Sequence, residues 1–178
     1  RLSSLHPQIV DEALCRVLSD ERIRPHFHLS VQSGSDTVLK AMRRPYTAGC
    51  VKQAVERLRS IKELPFIACD IIAGFPGETE EDFQQTLKLV KEVEYDSAFM
   101  FMYSTRKGTI AEKMDGHIPQ DVKKDRFNRL MELANEISAK KNKAYFGRTE
   151  EVLVEGFSKK NESVLSGRNT KNKLKHMI

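Results

Sequence analysis

The feature that most restricts this chain is a repeated pattern: through roughly its first 115 residues, short strand-like runs alternate with amphipathic helical stretches. Residues 8–18 predict a helix with Ile9, Val10, Ala13, Leu14 and Val17 on one face. Residues 26–31 read as a strand, 32–36 as the turn leaving it, and a short helix carrying Val38, Leu39 and Met42 follows. Residues 48–64 predict another helix, striped by Val51, Ala54, Val55, Leu58 and Ile61. Residues 66–73 are a buried strand and 74–78 a tight loop. Thr79 and Asp82 then form a capping pair for a helix whose inner face is Phe83, Leu87, Val90 and Val93. A last strand, 97–103, ends in the polar turn 104–109. Repeated strand, loop and helix units of this length mean parallel strands joined by crossover helices. An open doubly wound sheet and a barrel both satisfy the pattern. Either one gathers its functional residues on the loops at the carboxyl ends of the strands.

After Pro119 the alternation stops. Residues 120–146 predict one long helix with Phe127, Leu130, Met131, Ala134 and Ile137 inward, ended by Gly147. Residues 150–156, 164–167 and 174–178 read as short strands of a small all-β unit that, at about 30 residues, is too short to close a barrel. Charge divides the chain at nearly the same place. From residue 140 onward ten Lys or Arg face four Glu, leaving that end at +6, whereas residues 1–139 carry −1. A basic module joined to a neutral one is the footprint of a polyanion-binding appendage or of a lysine-rich solvated surface.

Several classes are excluded. An apolar content of 39% beside 31% charge describes a globular chain, not a disordered one. The longest apolar run, 66–74, is interrupted by Asp70 and is far shorter than a bilayer span. The start at Arg1, without methionine or a signal pattern, reads as an internal cut. Cys15, Cys50 and Cys69 form no C-x-x-C group, which argues against a zinc site or disulfide framework and for a reducing cytoplasm. No Ser/His/Asp grouping or phosphate-binding P-loop is present to anchor hydrolytic chemistry.

Three loops carry the chemistry that remains. The strand and loop of residues 70–79 deliver Ala73 and Gly74 to a strand end, where a flat ring can lie against backbone. Gln32, Ser33 and Ser35 place short donors and acceptors at another, suited to ribose hydroxyls or an amino-acid carboxylate, with Arg43 and Arg44 as a carboxylate clamp. At a third, Tyr103 suits stacking or hydrogen bonding and Arg106 suits a phosphate. Each loop taken alone is equally an ordinary turn, rim or surface element.

In this order and at this spacing, residues 28–47, 70–83, 103–111 and the basic end resemble the tRNA methylthiotransferases of the radical S-adenosylmethionine (SAM) superfamily. Asp70 to Glu78 looks like the superfamily's G-x-I-x-G-x-x-E element, with residues 73–78 beside adenine. Val152, Glu155, Gly156, Ser166, Gly167 and Arg168 fall where that family's small tRNA-binding β-barrel, the TRAM domain, begins. The resemblance implies an α/β fold: the second half of a partial (β/α) TIM-like barrel with parallel strands over residues 1–118, a connecting helix over 119–146, and the start of a TRAM-like domain over 147–178.

It also implies radical chemistry on SAM that adds a methylthio group to the hypermodified adenosine next to the anticodon, with tRNA as partner and 4Fe-4S clusters as further cofactors. The family's C-x-x-x-C-x-x-C loop is not in this sequence, so no metal ligand and no catalytic residue is assigned, and the chain alone is expected to be inactive. Implied SAM contacts are Gln32, Ser33, Arg43, Asp70, Gly74, Phe75 and Tyr103; implied RNA contacts are Arg106, Lys159, Lys160, Arg168, Lys171 and Lys173. Residues 1–85 look closer to the branch acting on threonylcarbamoyl-adenosine, and 95–178 to the branch acting on isopentenyl-adenosine, which the RNA-facing half favours. A non-catalytic RNA-binding module and a radical SAM enzyme with a non-RNA substrate are the competing readings.

Overall fold

A computed structural model describes residues 2–159, 161–171 and 174–177. Four parallel strands, β1 (Leu2–Leu5), β2 (His26–Gln32), β3 (Phe66–Ala73) and β4 (Ser97–Met102), lie side by side in chain order. Helices α1 (Glu12–Leu18), α2 (Asp36–Ala41), α3 (Ala48–Ile61), α4 (Glu80–Val93) and α5 (Gln120–Lys143) complete the first unit, with 3-10 turns at Pro7–Ile9 and Ile110–Lys113. Beyond α5, β5 (Val152–Ser158), β6 (Asn161–Asn169) and β7 (Leu174–Met177) form an antiparallel three-stranded sheet. None of the described helices is long and apolar enough to cross a membrane.

Side chains of a strand alternate between faces, and here the two faces have different fates. Phe27, Leu29 and Val31 of β2, with Ile67, Cys69, Ile71 and Ala73 of β3, join one core with Leu18, Leu39, Val51, Leu58, Phe83, Val90 and Leu130 from the helices. His28 and Ser30, Asp70 and Ile72, and Phe99 and Phe101 occupy the intervening positions and point the other way. None of the described helices covers that face, and Phe99 and Phe101 are half exposed there, at 51% and 52%. Helices on one face alone decide between the two architectures that the pattern allowed: a doubly wound sheet is covered on both. The sheet is half of a (β/α) barrel, its bare face the barrel's inner wall.

Local chemistry sets most element ends. Thr79 and Asp82 make a complete capping box at the start of α4, and Thr47, Ser35 and Asp11 cap α3, α2 and α1. The predicted helix over 8–18 is instead broken in two, because Asp11 accepts Leu14 N and begins a new helix. The break turns the buried face to Val10, Cys15 and Leu18 and leaves Val17 60% exposed. β1 was not predicted; its two serines give no strand pattern, and pairing with β2 supplies the structure.

α5 crosses the ends of α4 and β4 and buries Arg126, Leu130 and Ile137, while Met131, expected inward, is 37% exposed. At its far end Lys141 Nζ reaches Asp96 Oδ2 at 2.8 Å, and Asp96 Oδ2 also accepts Ile67 N at 2.9 Å. The small sheet meets the first unit through Lys171, whose carbonyl accepts His26 Nδ1 at 2.9 Å and whose ammonium lies 4.8 Å from the Tyr145 ring centroid. Leu130→Ala is expected to cost about 2–5 kcal/mol in urea unfolding and Met131→Ala less than about 0.5 kcal/mol. Equal losses at the two positions would contradict this docking of α5.

Candidate functional site

Parallel pairing brings the exits of β2, β3 and β4 to one edge. β2 ends irregularly: Ser30 pairs with Asp70 but Gln32 with Ile71, and Gln32 has φ +70°. A non-glycine residue in the left-handed region is held there by its surroundings. The residues that follow Gln32 are fastened to the first two turns of α4. Ser33 Oγ lies 3.2 Å from Thr86 Oγ1, Gly34 N donates to the same oxygen at 3.0 Å, and Ser35 Oγ donates to Asp82 Oδ1 at 2.6 Å. A Cβ on Gly34 would come within 2.6 Å of Thr86 Cα, so only glycine permits this approach. Burial pushes the Asp82 carboxyl up, but the hydrogen bonds from Ser35 and Thr79 outweigh it and leave the carboxyl below the usual range.

β3 leaves through a turn held by Glu78. Its Oε2 accepts Gly74 N at 2.8 Å and Arg126 Nη1 at 2.9 Å, while Glu78 N donates to Phe75 O and Gly77 N to Gly116 O. Burial raises the Glu78 carboxyl above the ordinary value despite those donors. β4 leaves beside it: Tyr103 N donates to Ala73 O at 2.8 Å, and the Phe75 and Tyr103 rings meet edge to face at 5.3 Å. Thr109 caps the 3-10 turn and brings Ala111 back to the same edge.

The result is a hollow of about 460 Å³ lined by Gln32, Asp70, Ile72, Tyr103, Arg106 and Ala111 among others. A smaller one of about 210 Å³ adjoins it, sharing Ile72, Tyr103 and Ala111 and adding Arg43, Arg44, Phe75 and Met114. Asp70 is braced from behind, its Oδ1 3.0 Å from His28 Nε2. Tyr103 Oη and Arg44 Nε are buried, and neither meets a protein partner among the described residues. A polar atom buried in this way calls for a ligand or water.

Five of the seven expected contacts, Gln32, Arg43, Asp70, Phe75 and Tyr103, therefore line one continuous depression. The other two do not. Ser33 is fully buried and turned to Thr86, because its hydroxyl is needed to fasten the turn. Gly74, at φ +78°, presents its open side to the Lys123 stem, so it contributes backbone only. Of the expected RNA contacts, Arg106 lies on the rim and Lys159 is exposed, while Arg168 Nε lies 3.3 Å from Glu155 Oε1. Lys171 is nearly buried by its contacts with Tyr145, so it docks the small sheet instead of facing solvent. Lys160 and Lys173 lie outside the described residues. Lys123 and Arg126 were missed. The signal was there: Arg126 shares the spacing of Leu130 and Ile137, and an arginine on an apolar stripe requires a buried partner.

Residues 4–90 match the Radical SAM superfamily. A curated relative from Clostridium botulinum (strain Langeland), named tRNA-2-methylthio-N(6)-dimethylallyladenosine synthase, is 50% identical over 179 residues, covering all of this chain and 40% of its own length. Another of that name, from Anoxybacillus flavithermus, is 51% identical over 182 residues and is covered over 34% of its length. The chain thus spans about 40% or less of the length of these relatives. Among solved structures, coproporphyrinogen III oxidase from Escherichia coli, described as a radical SAM enzyme, superposes with a TM-score of 0.65 at 20% identity. That match covers 76% of this chain and 32% of the oxidase, and it bears on the fold alone.

Between α4 and α5, Arg129 Nη2 donates to Glu80 Oε1 and draws the Glu80 carboxyl down from 4.5 to about 2. A folded value below the unfolded one means stability that is complete above about pH 4.5 and lost as pH falls toward 2. The unfolding free-energy gap between the native chain and Glu80→Gln, measured in urea, is expected to shrink on acidification through that window and stay level above it. Glu80 is half exposed, so the gap is small. A gap that widens on acidification would contradict the pairing.

Proposed function

We propose that this chain, whose residues 4–90 match the Radical SAM superfamily, forms the SAM-binding half-barrel and part of the tRNA-binding region of an enzyme that methylthiolates isopentenyl-adenosine in tRNA. The observation that carries the reading is the meeting of Gln32, Asp70 and Tyr103 in one hollow at the carboxyl ends of β2, β3 and β4. The names of the relatives, half identical along the entire chain, support the substrate.

The residues fit an adenosylmethionine. Phe75 and Tyr103 offer ring faces and edges to an adenine. Asp70 and Gln32 suit ribose hydroxyls, and the carboxylate suits a sulfonium cation as well. Arg43 and Arg44 in the adjoining hollow suit the amino-acid carboxylate, and the Tyr103 hydroxyl and Arg44 Nε gain the partners they lack. When bound and reductively cleaved, SAM supplies a radical able to take a hydrogen atom from the substrate. The protein's part here is to hold the adenosyl group, fix its orientation and wall it from water on the helix side of the sheet.

The residues do not fit an iron-sulfur cluster. Cys15, Cys50 and Cys69 stand apart and are wholly or partly buried, burial pushes each thiol up and away from thiolate, and no metal-holding group of His, Cys, Asp and Glu occurs among the described residues. We assign no cluster ligand to this chain. For RNA, the basic end over 147–178 and its antiparallel sheet support a TRAM-like role, with Arg106, Lys159 and Arg168 as contacts and the α5 helix as the link to the barrel. A tRNA substrate and three reduced thiols favour the cytoplasm.

A polypeptide of the relatives' length that carries this chain, supplied with iron, sulfide, reductant and SAM, is expected to form methylthio-isopentenyl-adenosine in tRNA, read by nucleoside mass spectrometry. Absence of any SAM cleavage would defeat the reading. Binding of tRNA is expected to weaken steeply with salt and to lose most of its salt dependence when residues 147–178 are deleted, measured by filter binding; an unchanged salt slope would remove the RNA role of that end.

A further inference from the structure

Two of the three lips of the hollow are fastened by a helix that lies outside the matched segment 4–90. Arg126 of α5 is only 5% exposed. Its Nη1 donates to the Glu78 carbonyl and to Glu78 Oε2, each at 2.9 Å, and Oε2 in turn accepts Gly74 N at 2.8 Å. The Arg126 guanidinium also lies 5.8 Å from the Phe83 ring centroid, and its Nε is 3.5 Å from Glu80 Oε2. One turn earlier, the stem of Lys123 covers Gly74 and its Nζ donates to the Tyr103 carbonyl at 3.3 Å. α5 thus holds the β3 turn and the β4 exit together.

We infer that Arg126 is a positioning residue for the adenosyl ligand: by binding the Glu78 carbonyl and carboxylate at once, it fixes the backbone of residues 74–78, and with it Phe75, in the shape that receives the base. The inference rests on the adenosyl reading above. A purely structural role would be narrower, since it would consist of neutralising the buried Glu78 carboxylate and would vanish once that charge was removed. Positioning needs geometry as well as charge: the planar guanidinium, lying against the Phe83 ring, holds Nη1 between the Glu78 carbonyl and carboxylate at once, a placement that a lysine's flexible ammonium does not fix.

The two roles separate experimentally. Unfolding midpoints in urea and affinity for S-adenosylhomocysteine by calorimetry are compared on the full chain for Arg126→Lys, Arg126→Met and Arg126→Met combined with Glu78→Gln. Arg126→Met is expected to lose stability and bind about tenfold more weakly. The double variant is expected to regain most of the stability and none of the affinity. Arg126→Lys, which keeps the charge and so the fold, is expected to bind several-fold more weakly. Full recovery of affinity in the double variant, or native affinity in Arg126→Lys, overturns the inference while leaving the adenosyl reading in place. No binding by the unaltered chain overturns that reading, and this inference falls with it.

Discussion

Parallel pairing of β2, β3 and β4, with helices on one face only, is the constraint from which the site follows. It sends every strand exit to the same edge and leaves the inner wall of the half-barrel open. Asp70 and Ile72 of β3 then look into the space beyond Gln32 and Tyr103, residues far from them in sequence. The same constraint explains the half-exposed Phe99 and Phe101, which stand on that wall with no helix to cover them.

The loops around the hollow are held in a shared way: each is tied to a helix by side-chain hydrogen bonds. Ser33, Gly34 and Ser35 lean on α4, and the 74–78 turn leans on α5 through Glu78. Stability and function are divided between neighbouring residues. Within the β2 exit, Gln32 faces the hollow while Ser33 to Ser35 hold it there; within the β3 turn, Phe75 faces the hollow while Gly74 and Glu78 fix the path. A motif that looks uniformly functional is mostly scaffold, with few of its side chains left to meet a ligand.

What could be read in advance was whatever is decided locally. β3 is an apolar run broken only by Asp70 and bounded by turn residues, so its limits of 66 and 73 follow from composition, and the Thr79 and Asp82 cap needs only four residues to form. Elements settled by distant partners were hidden. β1 becomes a strand by pairing with β2, and the first helix breaks at Asp11, which reads as an ordinary solvent-facing carboxylate until it is seen capping. At the site, the strand-end positions of Gln32 and Tyr103 were legible from the alternation of strands and helices. The inward turn of Ser33 toward Thr86 was not, nor was the burial of Lys171 against Tyr145, because each depends on a contact between separate elements.

The central claim is that the shared edge of β2, β3 and β4 is where an adenosyl group rests. Titrating S-adenosylhomocysteine into isotope-labelled chain and following backbone amides by heteronuclear NMR tests it most directly. The account predicts shifts confined to residues 32–33, 43–44, 70–77 and 103–111, with the small sheet undisturbed. Shifts centred on β5 and β6, or at the opposite edge where the strands begin, would contradict it.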